Sequence, residues 1–182
     1  RRGAGGGPPT CCPSLGVGSV SPPALPEPVY SRPSRGRNRP TDTVNERVER
    51  IVEEFIVLDG REKLELLLDF AGRLPPLSAE YEARKRQEDR RVHECQTSVF
   101  LWPEVSDDTM TLVAEVAEEA PTVKGFVALL AEAVTGRPQA EAADLGDDLL
   151  DRIGLAEVLG MLRSRGLRAI IVRVRRELLE AG

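Results

Sequence analysis

The sequence predicts an α+β domain: a small antiparallel sheet flanked by helices. Three observations carry this. Apolar residues recur every three or four positions from Val44 onward. A β-prone stretch and an alternating stretch then sit side by side in the middle of the chain. Helical periodicity resumes after Pro121 and runs almost to the end. Strands grouped apart from helices mark an α+β domain and not an alternating α/β one.

Val44, Val48, Ile51, Val52, Phe55 and Ile56 fall on one face of a first helix. Asp59 and Glu62 have the spacing of a capping box, which starts a second helix presenting Leu64, Leu67, Leu68 and Ala71. Gly72, Pro75 and Pro76 stop it. Residues 79–91 are polar, contain Arg84, Arg86, Arg90 and Arg91, and read as a short solvated helix or a charged docking edge. Ser98 to Trp102 is β-prone, and Ser106-Asp107-Asp108 reads as a turn. Met110, Leu112, Ala114 and Val116 alternate with more polar neighbours, completing an antiparallel hairpin. Phe100 and Trp102 are expected in the sheet core or along a cavity wall.

Pro121 suits a first helical turn, and Val123, Phe126, Val127, Leu130, Ala133 and Val134 line one side of the helix that follows. Gly136 and Pro138 close it. Short helical pieces are expected at 140–143, 147–153 and 155–162, with Gly154 as a break. A last helix over 164–179 buries Leu167, Ile170, Ile171, Val174 and Leu178.

Residues 1–43 have a different texture, with seven Gly and nine Pro. Such a segment buries too little apolar surface to offset its conformational entropy, so the expectation is a disordered extension before a folded domain at 44–182. The extension carries six Arg against two acids, which also suits an organelle transit peptide. The chain begins with Arg1, as a processed product, a fragment or an upstream-extended translation would. The expected place is the cytoplasm, or an organelle stroma or matrix if residues 1–43 are a transit peptide.

Composition excludes several functions. The folded part holds 19 basic against 28 acidic residues, a poor general match for nucleic-acid phosphates. No stretch approaches the roughly 18 consecutive apolar residues of a membrane-spanning helix. Gly3, Gly5, Gly6 and Gly7 have neither a preceding strand nor a following Lys-Ser/Thr, so they make no phosphate loop. A structural zinc site needs about four Cys or His ligands, and His93, Cys95, Cys11 and Cys12 would have to converge across the extension to supply them. Three cysteines without a spacing framework are no disulfide scaffold and favour a reducing compartment.

What remains is Cys95, the lone cysteine of the folded part. An unpaired cysteine is commonly a buried packing residue. Here it lies at a loop-to-strand junction, where functional residues concentrate. Arg90, Arg91 and His93 favour a thiolate and Glu94 opposes it. His93 serves as a general base only within hydrogen-bond reach of the thiol. Two functions stay open on these residues alone: a thiol-dependent hydrolase or oxidoreductase using Cys95 with His93, and a non-catalytic helical adaptor.

Val92-His93-Glu94-Cys95-Gln96-Thr97-Ser98-Val99-Phe100-Leu101 resembles the SufE motif, usually Val-x-Gly-Cys-Gln-Ser-x-Val-Trp-Leu. Ile51-Val52-Glu53-Glu54-Phe55 and Leu74-Pro75-Pro76-Leu77 resemble the family's opening helix and its turn. Thr122-Val123-Lys124-Gly125-Phe126, Gly154-Leu155-Ala156-Glu157-Val158-Leu159 and Arg163-Ser164-Arg165-Gly166-Leu167 resemble later segments, so the likeness covers about residues 46–177. It implies the fold shared with IscU-like scaffolds. It also implies a cysteine that accepts persulfide sulfur from a SufS-type desulfurase, speeds that enzyme's turnover and passes sulfur to an iron–sulfur scaffold complex. By this resemblance Cys95 is the acceptor, with Arg163, His93, Glu94 and Gln96 in support. The protein then needs no cofactor of its own, since pyridoxal phosphate belongs to the desulfurase, and its partners include no nucleic acid or membrane. Glu94 stands where many members have Gly, and Met161-Leu162 where Pro-Ser is frequent. The Glu-Cys-Gln-Thr form resembles an actinobacterial-type subgroup. Glycine permits positive φ, so Glu94 implies a different loop conformation or one that does not need it.

Overall fold

The computed structural model describes residues 41–181. The expectation of a disordered extension falls almost wholly outside them. Two residues of that stretch do take part in the fold. Asp42 is buried and pairs with Arg50. Thr43 caps the first helix: its hydroxyl accepts the Glu46 N–H, and the Glu46 carboxylate accepts the Thr43 N–H.

Helix α1 (Val44–Ile56) turns Val44, Val48, Ile51 and Phe55 inward, as the periodicity predicts, but Ile56, expected on the same face, is exposed at the helix end and Val52 is only half-buried. Helix α2 (Gly60–Ala71) opens with the Asp59–Glu62 capping box. Its buried face is Leu67, Phe70 and Ala71, whereas Leu68, expected inside, is about half exposed. The reason is the close approach of α4 (Pro121–Val134). A Cβ on Gly125 would lie 1.9 Å from the Leu67 carbonyl oxygen, so only glycine lets the two backbones touch there. That contact turns α2 about Leu67. Helix α4 is buried nearly all round, from Val123 to Val134, and is the centre of the core.

The sheet is a two-stranded hairpin, β1 (Val99–Ser106) and β2 (Thr109–Val116), with Leu101 opposite Ala114 and Val99 opposite Val116. Asp107 and Asp108 have φ of 48° and 60°, the two left-handed positions of a tight hairpin turn. The inner face carries Val99, Leu101, Met110, Leu112, Ala114 and Val116 against the helical core. Trp102 points the other way. It is fully buried on the outer face, its ring 5.5 Å from Tyr81 and 6.5 Å from Phe100.

The cover over that outer face is α3 (Ala79–Lys85). None of its residues is buried, yet it is more than a solvated helix. Tyr81 donates a 2.6 Å hydrogen bond to Glu104, Arg84 pairs with Glu104 and Glu88, and Lys85 pairs with Glu115 beneath the Phe100 ring. Partial burial and the hydrogen bond to a carboxylate push the Tyr81 phenol well above its ordinary range.

After α4 come a short 3-10 helix (Gln139–Asp144), α5 (Leu149–Arg152), α6 (Leu155–Leu159) and α7 (Met161–Glu180). The sequence placed one helical piece over 155–162 and began the last helix at 164. The break lies earlier, at Gly160, whose φ of 74° ends α6 and lets α7 start at Met161. Arg163 therefore belongs to the last helix. At the far end of the core Arg47 is buried, and its Nη1 donates to the carbonyl oxygens of Glu132, Ala133 and Thr135. These are the carbonyls α4 leaves unpaired at its C-terminus.

Candidate functional site

The segment leading to Cys95 is clamped to both the sheet and α7. Leu101 N–H donates to the Arg90 carbonyl at 3.1 Å, and Val92 N–H to the Val99 carbonyl at 2.9 Å. From the other side Arg173 on α7 donates to the Arg91 carbonyl, and Arg90 pairs with Glu177. Glu88, held by Arg84 and Arg90, links this clamp to α3 and has its carboxyl lowered to about 2 by those two guanidinium groups.

Between the clamps, residues 93–97 are tied down lightly. Among the described residues their one backbone–backbone hydrogen bond is Cys95 N–H to the Val92 carbonyl, at 3.2 Å. His93, Glu94 and Gln96 are exposed, and Cys95 alone of the five is buried, 7% exposed within the core cluster. Its wall is α7. A Cβ placed on Gly166 would lie 3.4 Å from Cys95 Sγ and 3.6 Å from Cys95 Cα. The loop is thus pinned by the one side chain that carries nucleophilic chemistry.

The structure separates His93 from the thiol. The imidazole Nε2 stands 3.1 Å from both carboxylate oxygens of Asp89, in a pair more than half exposed on each side. The hydrogen bond from His93 holds the Asp89 carboxyl below its ordinary range. No described residue makes a hydrogen bond to Cys95 Sγ, so a His93 base within reach of the thiol, the geometry an enzyme reading requires, is absent among them. The cause is opposite placement: the thiol faces the core and the ring faces water.

Glu94 settles one expectation. Among the described non-glycine residues positive φ occurs only at Asp107 and Asp108, so this loop is built without the conformation that glycine would provide. Gln96 is exposed beside the thiol, with no described hydrogen bond from its side chain. Arg163, third residue of α7, is exposed one helical turn before Gly166, so the helix brings it to the end of α7 that borders the cysteine loop. Cys11 and Cys12 lie outside the described residues. Among those described, no three His, Cys, Asp or Glu side chains converge on a metal position.

Sequence reasoning missed two parts of this site. Gly166 carries a signal that could have found it: a glycine inside a long helix costs about 1 kcal/mol against alanine and so marks a packing reason. Arg173 carries no local signal, since a charged residue on an amphipathic helix ordinarily faces solvent. Only the tertiary fold shows that it reaches the Arg91 carbonyl.

A helical frame around a two-stranded sheet, with a buried thiol, single among the described residues, on a weakly bonded loop, defines a thiol-bearing α+β domain. Comparison with known proteins names the family. Residues 49–178 match SufE, the Fe-S metabolism associated domain. An uncharacterized SufE-like protein of Mycobacterium tuberculosis is 36% identical over 132 residues, covering 72% of this chain and 90% of that protein. One from Rhizobium etli is 31% identical over 134 residues, covering 71% and 88%. The solution structure of a hypothetical protein from Thermus thermophilus aligns with a TM-score of 0.63 at 31% identity, over 74% of this chain and 94% of the other. The chain belongs to the SufE family, and that membership ties it to iron–sulfur metabolism.

Proposed function

We propose that the protein accepts sulfur on Cys95 as a persulfide from a pyridoxal-phosphate cysteine desulfurase of the SufS type. It thereby accelerates that enzyme and carries the sulfur toward an iron–sulfur scaffold complex. The observation that supports this most is the placement of Cys95: a buried thiol on a loop with one internal backbone hydrogen bond, between two clamped ends. Few bonds need to break for such a loop to swing outward, and its low local stability suits a part that must enter a partner. Burial shields the thiol, or the sulfur it carries, between encounters.

The transfer is an exchange at sulfur. The Cys95 thiolate attacks the terminal sulfur of the desulfurase persulfide. A new Sγ–S bond forms, the S–S bond in the partner breaks, and the partner's cysteine leaves as a thiolate that takes a proton from solvent. There is no net oxidation. Arg163, at the end of α7 beside the loop, supports the anionic sulfurs, while Glu94 and Gln96 border the exit path and His93 keeps the loop rim polar. The protein acts as a carrier and not as a self-contained enzyme. We place it in the cytoplasm, where thiols stay reduced, and assign the Glu-Cys-Gln-Thr loop to an actinobacterial-type subgroup.

Incubation with a cysteine desulfurase and cysteine, followed by mass spectrometry, tests the reading. One added sulfur on Cys95 and stimulated desulfurase turnover are expected, both lost in Cys95→Ser. Full stimulation by Cys95→Ser sinks it. Turnover without any partner, abolished by His93→Gln, supports the enzyme reading instead.

A further inference from the structure

Helix α7 begins with two large apolar side chains in water: Met161 is 88% exposed and Leu162 is 73% exposed. Isolated exposed apolar residues are ordinary, but this pair has three further properties. First, Leu162 precedes Gly166 by four residues on one helix, which puts the two on the same face one turn apart. Gly166 is the residue against which Cys95 packs, so the exposed Leu162 stands one helical turn from the wall of the buried thiol. Second, Met161 lines a groove of about 430 Å³ together with Ala156, Ser164, Arg165 and Arg168. Third, from Val158 to Arg176 the chain has six arginines and no acid, on a body whose acids outnumber its bases. Arg168 is paired with Asp151, Arg173 with Glu177 and Arg175 with Asp147. Arg163 and Arg165 are exposed and make no ion pair among the described residues.

We infer that this corner of α6 and α7 is the docking surface for the desulfurase, an inference that rests on Cys95 being the sulfur acceptor. Met161 and Leu162 enter an apolar recess on the partner. An acidic rim around that recess faces Arg163 and Arg165, and an apolar side chain flanked by a carboxylate fills the groove. The commitment to this occupant follows from position and charge. A partner that receives the swung-out Cys95 must cover the surface one turn from it. Unpaired cations on an otherwise acidic domain select an acidic partner face and orient the encounter. Met and Arg, as at Met161, Arg163 and Arg165, are among the residues enriched at interfaces.

The test uses the full chain with Met161→Ser and Leu162→Ser together. Binding to the cysteine desulfurase is measured calorimetrically in a Cys95→Ser background, which separates docking from transfer. The dissociation constant is expected to rise about tenfold or more, the scale of losing interface anchors. With Cys95 intact, the concentration of carrier that half-saturates stimulation should rise in parallel, while maximal sulfur loading of Cys95 at saturation is kept. Arg163→Glu with Arg165→Glu should slow association and flatten its salt dependence. Circular dichroism and Cys95 alkylation rates unchanged by the serine pair show that the fold and the loop are intact. Desulfurase binding within twofold of the parent overturns the proposal, as does failure of the parent itself to bind. A wild-type dimer that the serine pair dissolves, with desulfurase binding unchanged, also overturns it in favour of a self-association surface. Loss of binding in the pair, together with no sulfur on wild-type Cys95, supports the docking surface while refuting the acceptor role.

Discussion

Gly166 is the position at which the state of the Cys95 thiol is most directly adjustable. An alanine Cβ there would meet Sγ at 3.4 Å, Cα at 3.6 Å and Cβ at 3.8 Å, all within contact range and none below 3.4 Å. Gly166→Ala is therefore accommodated with little movement. Replacing glycine by alanine within a helix favours folding by about 1 kcal/mol, and each new carbon–sulfur contact adds roughly 0.1–0.2 kcal/mol of dispersion. The predicted net gain in unfolding free energy is about 1–1.5 kcal/mol. Because the new contacts exist only while the loop is tucked in, alkylation of Cys95 should slow about twofold, the effect of a few tenths of a kcal/mol. Gly166→Val acts in the opposite sense. Its γ-carbons reach about 1.5 Å beyond Cβ, into the space Sγ and Cα occupy, and overpacking of this kind costs about 1–3 kcal/mol. The lightly bonded loop, and not α7, gives way, so Cys95 should label at least about tenfold faster, the factor that corresponds to 1.4 kcal/mol. Urea unfolding and timed iodoacetamide labelling read by mass spectrometry at Cys95 supply both quantities. Equal labelling rates in all three proteins, or faster labelling in Gly166→Ala, would show that α7 is not the wall that confines the thiol.

Three more perturbations probe the frame around the site. Gly125→Ala drives a methyl group into the Leu67 carbonyl, 1.9 Å away; because backbone cannot yield as a side chain does, a loss of about 3 kcal/mol or more is expected by urea unfolding. Arg47→Ala removes the donor shared by three α4 carbonyls and should cost about 2–4 kcal/mol, read as a lowered melting temperature with Cys95 loading unchanged once the protein is folded. The Glu88 carboxyl has its folded value depressed from 4.5 to about 2 by Arg84 and Arg90. Its contribution is fully present above about 4.5 and disappears as pH falls toward about 2. Emission of Trp102, the chain's one tryptophan, should shift to the red across that window as α3 loosens, and Glu88→Gln should flatten the shift. An identical acid profile in Glu88→Gln would remove this ion pair from the account.

Much of the domain is legible in the order of its residues because the rules that set it are local. The capping box at Asp59–Glu62 satisfies helix-end N–H groups within four residues. The Met110 to Val116 alternation matches the two-residue period of a strand with one buried face. The family motif around Cys95 is likewise a matter of neighbours along the chain. Elements misjudged in detail are those whose outcome depends on a distant partner. Leu68 turned outward because Gly125 lets α4 sit on Leu67. The polar stretch at 79–85 became a cover for Trp102 because Glu104 and Glu115, on the hairpin, hold its cations. The last helix started three residues early because Gly160 adopts positive φ.

The site divides along the same line. The sequence by itself determined that Cys95 is the thiol of the folded part, at a loop-to-strand junction, in a SufE-like frame. The tertiary structure decided how that thiol stands. It is tucked against Gly166, seventy-one residues further along. It is separated from His93, which turns to Asp89, and its wall residue Gly166 follows the exposed Leu162 by one helical turn. Burial, pairing and exposure belong to the packing of α7 on the cysteine loop, and no local pattern encodes which residues of two remote segments will meet.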